Sequence, residues 1–100
     1  MNNGIDIPTN NSITTIGATS SRVLPSAARN VLTLRNSSTG GQIITFSMGN
    51  LPAALNEGIV LSVGQMWVDS DNGEYKCWEG EIQAISTGAD GKLSVVERGR

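Results

Sequence analysis

The sequence predicts an all-β fold, a small antiparallel sandwich or barrel, on three observations. The stretch 58–86, GIVLSVGQMWVDSDNGEYKCWEGEIQAIS, holds both tryptophans, the tyrosine and the cysteine, so most of the large core-forming side chains lie close together. Within it Gly58, Gly64, Gly73 and Gly80 punctuate short apolar or alternating runs, and Asn72-Gly73 is the strongest short-range signal for a type I′ hairpin turn. Along the chain about eight short strands follow one another at the roughly 8–12-residue spacing of a sandwich or barrel, and no segment has a helical period.

Each element has its own warrant. Residues 1–21 are dominated by Asn, Thr, Ser and Gly, with Ile5, Ile7, Ile13 and Ile16 as the sizeable apolar side chains. A polar tract of this kind orders only against another surface, so an N-terminal arm held by a partner is expected, with the sandwich over 22–100. Residues 22–24 are a short β run that Pro25 turns into a corner. From 29 to 36, RNVLTLRN alternates, with Leu32 and Leu34 on one side and Val31, Thr33 and Arg35 on the other. Turn residues 37–41 lead to 42–48, with Ile44, Phe46 and Met48 on one face, and these two strands are expected to pair as a hairpin.

Residues 50–56 contain Pro52, allow at most one helical turn and are read as a crossing between sheets. The run 59–61 passes through Gly64 into 66–69, where Met66 and Val68 face opposite to Trp67. Residues 74–79 are expected as the returning strand of the Asn72-Gly73 hairpin, and 81–86 pairs with 92–98 in a closing hairpin, Leu93 and Val95 pointing inward.

Composition narrows the chemistry. The chain of 100 residues has 38% hydrophobic and 16% charged residues, no histidine and one cysteine. That excludes Ser-His-Asp and Cys-His nucleophiles, the usual zinc sets and an internal disulfide. No apolar run approaches the roughly 18 residues of a membrane span. The first residues lack the basic start and apolar run of a secretory signal, so export by that route is not expected.

Glu79 and Glu81 could serve as paired carboxylates on one strand, but Gly80 between them favours a bulge or turn, and catalysis is not expected. The segment DSDNG at 69–73 has its glycine one place too early for a calcium loop and fits a hairpin tip better. Trp67, Tyr75 and Trp78 could form a sugar-stacking platform, but a domain with four aromatic residues needs them in its core. Basic residues do not interleave with aromatics as nucleic-acid binding requires. The net charge of −2 is split: residues 1–50 carry three cations against Asp6, and residues 51–100 carry four cations against eight carboxylates. Such a split can orient one end of the molecule toward an oppositely charged partner.

The order of RNVLTLRN at 29–36, GIVL at 58–61 with Gly64, WEGEIQAI at 78–85 and LSVVE at 93–97 resembles small β-sandwich virion proteins of tailed bacteriophages, over residues 29–97. These decorate or cement the capsid or form part of a head fibre. The resemblance implies a jelly-roll-like sandwich and a non-enzymatic protein that binds the major capsid protein on the virion exterior after synthesis in the host cytoplasm. A homotrimer is expected, with no cofactor, metal, nucleic acid or membrane. The arm would supply Ile5, Ile7, Ile13 and Ile16 to the capsid, flanked by the basic Arg22, Arg29 and Arg35. The alternative is a glycan-binding or host-attachment module of a phage fibre or tail.

Overall fold

The computed structural model describes residues 9–99, which form eight strands: β1 (Thr9–Ile16), β2 (Ser21–Leu24), β3 (Val31–Asn36), β4 (Ile44–Met48), β5 (Ile59–Leu61), β6 (Met66–Ser70), β7 (Ile82–Ser86) and β8 (Gly91–Arg98). Sheet 1 has the order β1-β8-β3-β6 and sheet 2 the order β2-β7-β4-β5, with every pairing antiparallel. The first strand pairs with the last, the second with the seventh, the third with the sixth and the fourth with the fifth. This nesting is a long hairpin rolled into two layers, the jelly-roll arrangement.

The pairing corrects several local expectations. Every connection but β4 to β5 crosses from one sheet to the other, so 29–36 and 42–48 are not a hairpin, nor are 81–86 and 92–98. The crossing read at 50–56 instead stays within sheet 2. Residues 74–79 form no strand; after β6 the chain makes a tight turn in which Asn72 and Tyr75 exchange both backbone hydrogen bonds around Gly73-Glu74. Positive φ falls at Gly73 and not at Glu74, the pattern of a type II′ rather than a type I′ turn. Residues 9–21, expected in the arm, belong to the sandwich: β1 runs in unbroken register along β8 from Thr9↔Arg98 to Ile16↔Gly91. A polar strand can do this because the sheet supplies its backbone partners. Residues 1–8 lie outside the described residues.

Alternation sets the core. Ile16, Leu32, Leu34, Leu93 and Val95 of sheet 1 face Leu24, Ile44, Phe46, Leu61, Ile82 and Ala84 of sheet 2, all buried. Each of these side chains other than Ala84 contributes about 1.5–3 kcal/mol by leaving water. Trp67 is half-buried on the same side of sheet 1 and meets Phe46 edge-on at 5.2 Å between ring centroids. Trp78, in the connection to β7, also packs on the core, with its indole Nε1 donating to Glu81 O at 3.0 Å.

Polar side chains close both ends of this core. At one end Asn36 is fully buried; its Nδ2 donates to Gln42 O and Leu61 O, both at 2.8 Å, and its Oδ1 accepts from Ser38 N. At the other, Arg29 is 1% exposed, which overturns its expected place on a binding surface. Its Nε donates to the Glu97 carboxylate, Nη1 to Trp78 O at 3.1 Å and Gly80 O at 3.0 Å, and Nη2 to Pro25 O at 2.6 Å. The corner before β3, the approach to β7 and the end of β8 are thereby tied to one guanidinium, whose planar fork no ammonium reproduces. Beside it, Asp69 accepts from Tyr75 Oη at 2.7 Å and from Trp78 N at 2.9 Å, folding residues 71–78 back over β6.

Two outcomes follow from these closures. Arg29→Ala leaves Glu97 and three carbonyls without their donor, so urea unfolding should show a loss of about 3–5 kcal/mol, and Arg29→Lys should recover only part of it. The hydrogen bond to Asp69 raises the pKa of Tyr75 above the ordinary 10.0, with desolvation and then the Asp69 charge acting in the same direction. The fold therefore favours the neutral phenol, a contribution complete below pH 10.0 and lost as pH rises through the folded-state value. Because Tyr75 is the sole tyrosine, tyrosinate absorbance should report a midpoint above 10.0 that retreats toward it in Asp69→Asn.

Candidate interaction surface

The two sheets differ in what covers their outer faces. On sheet 2, Thr45 points away from the core yet is fully buried, because the β4–β5 connection folds back over it. Asn56 N donates to Thr45 Oγ1 at 3.1 Å, and Ala53 N donates to Ser20 Oγ at 2.8 Å, tying the connection to the start of β2. Gly58, at φ 139°, passes so close to Phe46 that a Cβ there would lie 2.5 Å from its carbonyl oxygen. Only glycine allows that approach.

The outer face of sheet 1 has no such cover among the described residues. Register places its side chains in cross-strand rows. One row is Asn11, Val96, Thr33 and Val68; the next is Ile13, Ser94, Arg35 and Met66; a third is Thr9, Arg98, Val31 and Ser70. Ile13 is 67% exposed, Met66 60%, Val68 55% and Val96 42%, so exposed apolar positions lie on β1, β8 and β6, with Thr33 and Arg35 of β3 between them. A shallow depression between β1 and β8 is lined by Asn11, Ile13, Ser94 and Val96. The charged side chains on this face are Arg35, Lys92 and Arg98, and these rows contain no carboxylate, in a protein whose net charge is −2. The inward-pointing acids of the same strands, Asp69 and Glu97, are engaged at the Arg29 end of the core.

Of the residues expected to bind a partner, Ile13 and Arg35 lie on this face, in one row with Ser94 between them. Ile16 is fully buried in the core, Arg29 is the buried tie described above, and Arg22 lies on sheet 2, 3.8 Å from Glu81. Ile5 and Ile7 lie outside the described residues. Met66, Val68, Val96, Lys92 and Arg98 were missed, although the signal was present: β6 and β8 have apolar side chains at both parities, more than one buried face requires. The Glu79 and Glu81 carboxylates face different groups, Glu79 accepting from the Arg29 amide and Glu81 lying 3.8 Å from Arg22. Of the three residues weighed as an aromatic platform, Trp67 and Trp78 turn to the core and Tyr75 is exposed.

No family model matches the chain, and no curated protein matches it. Among solved structures it is similar to a chain from Bacillus endospore appendages, a family of disulfide-linked pili, at 14% identity and a TM-score of 0.46, covering 94% of this chain and 89% of that one.

The outer rows can be separated from the core by stability. Val68→Thr and Val96→Thr keep β-branching at exposed positions and should leave the unfolding free energy within about 0.5 kcal/mol. Leu34→Ala, one position from the outer row but on the buried side, should cost about 2–5 kcal/mol in the same urea titration.

Proposed function

We propose that this protein is a non-enzymatic structural component of a bacteriophage virion, a capsid decoration or cement protein that binds the major capsid protein from the shell's exterior. The observation that carries this reading is the uncovered outer face of sheet 1. Exposed apolar side chains gathered on one face mark an interaction surface, and Ile13 and Val96 on one half of sheet 1 and Met66 and Val68 on the other, with Thr33 and Arg35 between them, are of that kind. A jelly roll with buried polar ties at both ends presents them on rigid backbone, so little ordering entropy is lost on binding. The resemblance of residues 29–97 to virion sandwich proteins supplies the partner class.

The charge on the face supplies the partner's chemistry. Arg35, Lys92 and Arg98 without carboxylates call for a shell surface with apolar residues ringed by Asp and Glu. A glycan-binding module would instead need an exposed aromatic pair, whereas both tryptophans pack on the core.

Binding to particles stripped of the protein tests the proposal. Wild type should restore occupancy on empty shells, and Arg35→Glu with Met66→Glu should weaken it at least tenfold, as seen by co-sedimentation and an electron-microscopy map. Arg22→Glu, on sheet 2, should bind as wild type does. Undiminished binding by the double variant removes the face from the attachment, and no binding by wild type removes the virion role.

A further inference from the structure

A sheet edge carries unpaired N–H and C=O groups, and proteins blunt such edges with charges, proline, bulges, short strands or covering loops. Three of the four edges here are blunted. β2 has four residues, a register shift between Arg22 and Leu24, and Pro25 directly after it. β5 has three residues. β6 carries the inward Asp69, and the Cys77 thiol of the folded-back loop lies against the Asp69 carbonyl. β1 has none of these devices within the strand: TNNSITTI is eight residues long, uncharged, free of proline and glycine, and in continuous register with β8, although Pro8 precedes it in the sequence.

We infer that the free edge of β1 is a pairing site for β1 of a second copy of this chain, the two strands running antiparallel so that sheet 1 continues through a two-fold axis into its mate. The strand's own sequence favours a copy of itself as occupant. Centring the axis on Ile13 sets Ile13 against Ile13 on the outer face, Asn11 against Thr15, and Ser12 against Thr14 on the inner side. Each opposed pair shares a face, none carries charge, and apolar and hydroxyl pairs of this kind support a ladder. Ile13, with 67% exposure the most open apolar residue on the outer face, gains a neighbour.

Charge separates this edge pairing from other ways of joining two copies. Stacking outer face on outer face would oppose Arg35, Lys92 and Arg98 to their own copies across about 10 Å with no carboxylate between them. Edge pairing leaves Lys92 and Arg98 on β8 and its mate, about 14 Å apart across three strand spacings, beyond the roughly 8 Å over which such charges act at physiological salt. The outer face stays open, so the pairing is independent of the capsid reading. The two-fold closes after two subunits, giving a dimer in place of the expected homotrimer.

Sedimentation of the full chain tests the pairing without any partner. Wild type should approach twice the 10.5 kDa of one chain as concentration rises, with β1 amides gaining protection from hydrogen exchange in parallel. Ile13→Lys and Ile13→Glu each place like charges on the axis and should halve the mass, and mixing the two variants should restore a dimer. At concentrations low enough for wild type to be monomeric, their unfolding midpoints should match wild type, since Ile13 is exposed. A wild type that stays monomeric at the highest soluble concentration overturns the inference, as does a dimer or trimer whose mass both variants leave unchanged.

Discussion

The guanidinium of Arg29 holds together three pieces of chain that no strand ladder joins. Pro25 O belongs to the corner before β3, Trp78 O and Gly80 O to the approach to β7, and Glu97 to the end of β8. A rolled hairpin brings these segments to one end of the sandwich, where their carbonyls would otherwise face the core without donors. Leaving a buried acceptor unsatisfied costs about 1–3 kcal/mol each, so a single cation with a planar set of donors is an economical closure. The charge itself is compensated by Glu97, 15% exposed, so the pair is not isolated in the apolar interior.

With the ends closed by side chains, the two outer faces are free to differ. Sheet 2 is roofed by its own β4–β5 connection, in which Gly58 and the positive-φ Asn56 let the chain double back onto Thr45. Sheet 1 keeps its apolar and basic rows in solvent. In a chain of small size the same stretch cannot roof both sheets, and the roofed one is the sheet that contains the connection. The exposed face is therefore a consequence of where the single within-sheet connection falls.

The edges follow a similar logic. β2, β5 and β6 end near corners or under the folded-back loop, so shortness, a bulge and a buried acid blunt them without further help. β1 lies in the other sheet from the β4–β5 connection, and its exposed side chains are mostly polar. Its Asn, Ser and Thr side chains keep it from the apolar aggregation that an equally long hydrophobic edge would invite.

Which way most side chains point is legible in the amino-acid order alone. Leu32, Leu34, Leu93 and Val95 inward, Val31, Thr33 and Arg35 outward, and Met66 and Val68 opposite Trp67 all follow from the two-residue period, a property of each strand's own backbone. The turn at 72–75 was legible for the same reason, since Gly73 needs only local freedom. Partnership between strands, by contrast, is settled by the folded chain. A strand edge offers the same hydrogen-bonding groups to every other strand, so the sequence favoured neighbours in the chain where the fold pairs β3 with β6 and β8. Residues 9–16 lacked apolar periodicity and read as arm until β8 supplied their ladder. Arg29 read as a surface cation because its burial depends on a carboxylate and carbonyls contributed by distant parts of the chain, and only the roll of the hairpin brings them within hydrogen-bond reach.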